Sequence, residues 1–254
     1  MTPVLARSLS SICAVLVALL MLFAPQARAQ GARELIEESL RRHELPAYVY
    51  QEQTLILSGT LGQLNVLTLR YYARRDARGV KRLAVINTPE ELRGMTVLVT
   101  GDAASGARKG PAPSSPVFGS NLTVADFEGV RTGEFTYELE EAQDLDRVSH
   151  HVVKALPKDE AVERATGYGE RRIFLRKDNL FMSRMDFLDR QGRGLRRQTF
   201  RDPRPDESGA WRASMILVED LRADRRTLLK IERRVHSADY VPDAVFGDLP
   251  VATR

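Results

Sequence analysis

Cysteine is all but missing from this 254-residue chain: its one example, Cys13, sits in an apolar run near the N-terminus. With a single thiol the chain can form no internal disulfide and no cysteine metal site, so packing alone must hold it together. Histidine is nearly as scarce, limited to His43, His150, His151 and His236. A strand would point His150 and His151 to opposite faces, and no H-x-H or H-x-x-x-H pair occurs, so neither a metal site nor a triad is expected. Charge of one sign is not in excess. The 38 basic residues are interleaved with 34 acidic ones, which leaves no sustained positive face for nucleic acid. No G-x-S-x-G elbow or Walker A motif is present, and Gly167-Tyr168-Gly169 and Gly192-Arg193-Gly194 flank strands instead of opening a helix. The acid pairs Asp144/Asp146 and Asp186/Asp189 fall in turn-like settings where solvation explains them. The composition therefore argues against an enzyme and calls for no cofactor.

Long apolar runs are also few, and the longest is residues 12–23. A helix over those residues would be about 18 Å long, against roughly 30 Å for a hydrocarbon core. Arg7 precedes the run; Pro25 and the small-residue pattern Ala27-Arg28-Ala29 follow it. That arrangement predicts an export signal cleaved after Ala29, with Gln30 as the new N-terminus and residues 30–254 as one exported domain. Cys13 does not mark lipidation, because Ile12 precedes it and it lies at the start of the run. Loss of Arg7 and Arg28 lowers the formal charge from +4 to +2.

What is present is alternation. Residues 30–45 read as an amphipathic helix with Ala32, Leu35, Ile36, Ser39, Leu40 and His43 on one face, supported by Glu37–Arg41 and Glu38–Arg42 and stopped by Pro46. From Tyr48 onward the period is two. Strands are predicted over 48–57, 64–72, 81–87, 95–100, 134–140, 147–156, 171–177, 179–188, 195–201, 210–219 and 227–236, with a hairpin turn at 58–62. Residues 101–120 hold four Gly, three Pro and four Ser, which predicts a mobile loop. Thr88-Pro89-Glu90-Glu91-Leu92 and Thr123-Val124-Ala125-Asp126-Phe127-Glu128-Gly129 read as one-turn helices able to plug an open sheet.

The pattern predicts a mostly β (α+β) fold: a curved antiparallel half-open β-barrel with an N-terminal helix and short plug helices. Leu67, Leu69 and Tyr71 share a strand face, as do Phe135 with Tyr137 and Met185 with Phe187. Together with Trp211 and Met215 these residues suit either a packed core or an adaptable apolar cavity, and the sequence leaves both open.

Several stretches in order, at 33–40, 93–99, 118–129 (Phe-Gly-Ser-Asn-Leu-Thr-Val-Ala-Asp-Phe-Glu-Gly), 173–199, 211–228 and 240–249, resemble the LolA-like superfamily of outer-membrane lipoprotein-sorting proteins. In that family a strand bearing Trp-x-Tyr-x-Pro precedes the Phe-Gly-Ser segment; here residues 101–116 stand in its place with neither Trp nor Tyr. The resemblance implies a non-catalytic periplasmic carrier or chaperone for the acyl chains of a lipid or lipoprotein. Its partners would be an inner-membrane transporter or an outer-membrane acceptor. Cavity candidates are then Leu67, Leu69, Phe135, Tyr137, Met185, Phe187, Trp211 and Met215, with Met95, Phe118, Leu122 and Phe127 at the mouth. An envelope interaction or sensory domain on the same fold is the alternative, as in related anti-sigma-factor regulators.

Overall fold

The computed structural model describes residues 31–59 and 62–247. The export segment, its cleavage point after Ala29, and residues 60–61 of the first turn lie outside the described residues. Among those described, no helix is long and apolar enough to cross a membrane.

Helix α1 runs over residues 31–42. Ala32 and Ile36 are fully buried, and Ser39, one turn further, nearly so, as a 3.6-residue period requires. Of the two expected ion pairs, Glu38–Arg42 forms; Glu37 bonds Arg33 instead, and Arg41 joins Glu38. Strands β1 (Tyr48–Ser58), β2 (Leu64–Asp76), β3 (Gly79–Thr88), β4 (Thr96–Asp102) and β5 (Arg108–Lys109) follow as a meander. The chain then crosses to the far edge through α2 (Val124–Glu128). From there β6 (Phe135–Leu145), β7 (Val148–Pro157), helix α3 (Glu160–Thr166), β8 (Glu170–Arg176), β9 (Met182–Leu188) and β10 (Gly194–Arg201) lead back. A small hairpin of β11 (Arg204–Pro205) and β12 (Trp211–Arg212) comes next, then β13 (Met215–Asp220) and β14 (Arg225–Val235). Strand β14 pairs with β1, so the two meanders join into one twelve-stranded antiparallel sheet with β5 and β6 at its unjoined edges. The fold is mostly β and half-open, as the alternation predicts.

The inner face carries two cores. One packs Leu55, Leu69 and Ile86 against Val117, Leu122 and Val124 of the crossover. The other sets Ala32 and Ile36 of α1 on Phe135, Tyr137, Ile173, Met185 and Phe187. On the outer face Tyr50 and Leu83 are covered by Val241 and Phe246, from the 3-10 turns Ala238–Tyr240 and Asp243–Phe246.

Three expectations need correction, and one element was not foreseen. Residues 101–120 are not a ladder-free loop: β4 extends to Asp102, β5 pairs with it, and Val117 is fully buried with its N–H donating to the Leu122 carbonyl at 2.9 Å. The Gly and Pro there shape turns between anchored points. The strand expected over 210–219 is two, because Ala213 and Ser214 break it: β12 pairs with β11, whereas β13 pairs with β10 and β14. The strand expected from 179 begins at Met182, since Leu180 takes a left-handed φ of 60°. Helix α3 was not anticipated, though Asp159 caps it by accepting from the Val162 N–H, and Gly167 ends it at φ 79°. The two plug segments are short helical turns as predicted, 3-10 at Glu90–Leu92 and α at Val124–Glu128.

Candidate functional site

Between the two inner cores lies a cavity of about 300 Å³. Helix α1 and the turn after it bring Ser39, Leu40 and His43 to it, and α2 with its approach brings Leu122, Asp126 and Phe127. Phe181, Met182, Phe200, Trp211, Ile216, Leu229 and Ile231 supply most of its apolar wall. A larger groove of about 530 Å³ runs along the ends of β2–β5. Arg74 and Arg78 there already share Asp76, and Lys81 and Lys109 add further charge to its lining.

The elements over the cavity are tied down by buried polar bonds. Arg212 donates to the His43 and Glu44 carbonyls (2.5 and 2.7 Å) just past the end of α1, and its Nε donates to Asp206 at 2.9 Å. Burial works against the Asp206 charge, but hydrogen bonds from Ser208 and Arg212 hold its pKa down to about 2. The Trp211 N–H donates to His43 Nδ1 at 3.1 Å, and His43 Nε2 bonds the Asn179 carbonyl at 3.0 Å; with Nδ1 accepting, the proton sits on Nε2. Burial depresses the His43 pKa below its ordinary value, so the ring is neutral. Ser39 Oγ donates to the Leu180 carbonyl at 2.8 Å.

Helix α2 begins with a reciprocal cap between Thr123 and Asp126. The same Asp126 carboxylate takes both Arg196 nitrogens, at 2.7 and 2.9 Å. Burial disfavours the Arg196 charge, yet Asp126 outweighs it and leaves that pKa raised. The guanidinium also stacks over Phe187, 3.9 Å from the ring centre.

The cavity is not wholly apolar. Gln51 and Gln53 of β1, Tyr71 of β2, Arg82 of β3, Gln198 of β10 and Arg234 of β14 line it as well. Gln51 stands opposite Tyr71 and Arg234 in the ladder, and Gln53 opposite Ile231. Ile231 and Arg234 are three residues apart and would normally face opposite ways. A bulge at this step of β14 turns both inward.

The solved structures most relevant to this geometry share little sequence. A protein domain assigned to outer membrane lipoprotein sorting, from Vibrio parahaemolyticus, is 18% identical with a TM-score of 0.74, covering 86% of this chain and 97% of its own. A DUF1329 family protein from Desulfovibrio piger is 16% identical with a TM-score of 0.73, covering 86% and 98%. A LolA superfamily protein from Nitrosomonas europaea is 14% identical with a TM-score of 0.65, covering 85% and 97%. A search of curated proteins returns no match. A family model whose description reads "-like: Uncharacterized protein" matches residues 78–248, more than half of the chain. The chain belongs to that family, and its fold is LolA-like.

Within this LolA-like fold the anticipated residues separate into groups. Trp211, Leu122 and Phe127 line the cavity. Leu67 and Phe118 border a second recess of about 480 Å³ beside the β1–β2 turn, with Leu57 and Leu92. Leu69 lies in the first core; Phe135, Tyr137, Met185 and Phe187 lie in the second. Met215 is half-buried on β13, and Met95 is exposed. The polar lining residues carried no sequence signal, because a glutamine facing inward on a strand looks like one facing water. A Ser–His contact, Ser183 Oγ to His150 Nε2 at 2.7 Å, lies away from the cavity, with His150 Nδ1 held by the Val148 carbonyl at 2.7 Å. Among the described residues no cluster of three or more His, Cys, Asp or Glu could hold a metal.

Proposed function

We propose that this protein is a non-catalytic periplasmic carrier, formed by residues 30–254 after export, that shields an acyl chain of a lipid or lipoprotein. The observation that carries this reading is the 300 Å³ cavity between the two inner cores, walled by Leu40, Phe127, Phe181, Phe200, Ile216 and Leu229 and overlaid by α1 and α2. Its volume is at the lower end of small-molecule sites, which suits one extended chain. An apolar chain gains about 0.8 kcal/mol for each buried methylene, enough to extract it from water without any covalent step. The assignment of the Vibrio parahaemolyticus neighbour to lipoprotein sorting supports the same reading. Its partners would be a membrane transporter that delivers the chain and an acceptor that receives it. The recess beside Leu67 and Phe118 would be the way in.

Native mass spectrometry of protein purified from the cell envelope should reveal a bound acyl species, and the delipidated protein should take up a fluorescent fatty acid. Folded, delipidated protein that ignores every acyl probe would overturn the carrier reading. It would favour an envelope interaction domain, for which Leu64 and Val66, 65% and 52% exposed on β2, offer an apolar contact strip.

A further inference from the structure

The polar side chains of the cavity are incompletely bonded. Gln53 Oε1, Gln198 Oε1, Arg82 Nε and Arg234 Nε are all buried without a hydrogen-bond partner among the described residues, and all four residues line the one cavity. Gln53 and Gln198 are only 4% and 2% exposed. Gln53 spends its amide on Gln51, at 2.5 Å, and whichever way that amide is turned one end stays unbonded. Buried polar groups are almost always satisfied, and leaving one unmade is costly. Four such atoms around one space are therefore a feature to explain.

Their charge points one way. The cavity-lining ions are Arg82, Arg212, Arg234 and Asp126. Asp126 is closed by Arg196, and Arg212 by Asp206. Arg82 lies beside the Tyr71 hydroxyl, Arg234 donates to the Ala213 carbonyl at 3.0 Å, and neither forms an ion pair with a carboxylate among the described residues. Two cations without an ion-pair partner among the described residues thus line the cavity beside its apolar wall. Burial lowers the Arg234 pKa, Arg212 nearby adds to the effect, and the Asp206 carboxylate, already bonded to Arg212, offsets it only in part.

We propose that the ligand is an anionic amphiphile, an acyl chain ending in a carboxylate or phosphate, and that its head is held inside the cavity by Arg82 and Arg234. Gln53 and Gln198 accept from its hydroxyl or amide groups. The chain lies along Phe127, Phe181 and Phe200. This deepens the carrier reading and rests on it: the protein selects its cargo by the head as well as the chain.

The test compares matched twelve-carbon ligands, laurate, dodecyl phosphate and dodecanol, on delipidated protein. Trp211 lines the cavity and is the sole tryptophan, so its fluorescence reports occupancy directly. At least one anion should bind about tenfold or more tighter than dodecanol, the worth of one charge-assisted bond. Which of the two anions binds tighter identifies the head. Arg82→Gln and Arg234→Gln, checked by thermal melting, should collapse that ratio toward one. Should either variant fail to fold, the wild-type ratio decides by itself. Equal binding of all three ligands would overturn the anionic head while sparing the carrier. Binding of none would overturn both.

Discussion

Asp126→Ala tests whether one carboxylate organises the lid of the cavity. In the native fold it caps α2 and clamps Arg196, and the two side chains are 6% and 14% exposed. Removing it leaves the Arg196 guanidinium buried between Phe187 and α2 with only the Asn121 carbonyl, 3.2 Å away. Breaking a buried pair from one side costs about 3–5 kcal/mol, and a lost cap about 1 kcal/mol. A loss of about 4 kcal/mol is a large share of the roughly 5–15 kcal/mol that holds a typical domain together. At this chain length it lowers Tm by about 10 °C. Urea and thermal melts followed by circular dichroism measure it. Adding Arg196→Met removes the stranded charge and should return part of the stability, because the penalty belongs to the unpaired ion and not to the bond itself. Because α2 carries Phe127 over the cavity, acyl-probe uptake should fall with the single variant. A cost below about 1 kcal/mol, the range of exposed pairs, or a double variant no more stable than Asp126→Ala, would refute the reasoning.

Further outcomes follow from the same geometry. His43 is held neutral with its pKa depressed below 6.5 by burial, so the folded state binds fewer protons than the unfolded chain; stability should be complete above pH 6.5 and fall as pH drops below it. His43→Gln should reduce that slope in pH-dependent melts without abolishing it, since burial shifts His150, His151 and His236 the same way. Hydrogen exchange should divide residues 101–120, fast at the exposed 103–106 turn and slow at Val117, whose N–H is bonded and side chain buried; uniform fast exchange would contradict the anchored segment. Gly79→Ala should destabilise by about 1–3 kcal/mol or more, because φ is 134° and a Cβ would overlap the Gly101 carbonyl oxygen. Asp159→Ala should cost about 1 kcal/mol through loss of the α3 cap, and a melt unchanged from wild type would show that the cap is idle.

Much of the fold was legible in the sequence because the relevant physics is local. Leu67, Leu69 and Tyr71 announce a half-buried strand by alternation alone, Ala32 and Ile36 announce a helix stripe, and Thr123 with Asp126 announce a cap within four residues. None of these needs to know what lies across the molecule. The pairing of β1 with β14, and the crossover that sends residues 110–134 from one edge of the sheet to the other, depend on contacts about 180 residues apart in sequence. The cavity depends on them more strictly. Met185 and Phe187 look like lining by residue type, but α1 settles on them and makes them core. Gln51, Gln53 and Gln198 look like ordinary surface polar residues, yet strand pairing and the overlying helices place them inside. Arg234 faces inward only because β14 bulges. The chain's own pattern determined the strands and turns, whose hydrogen bonds and periods are written over a few residues. The tertiary structure alone decided which side chains meet in the cavity and which charges there go unmatched, because burial and pairing are properties of the assembled sheet.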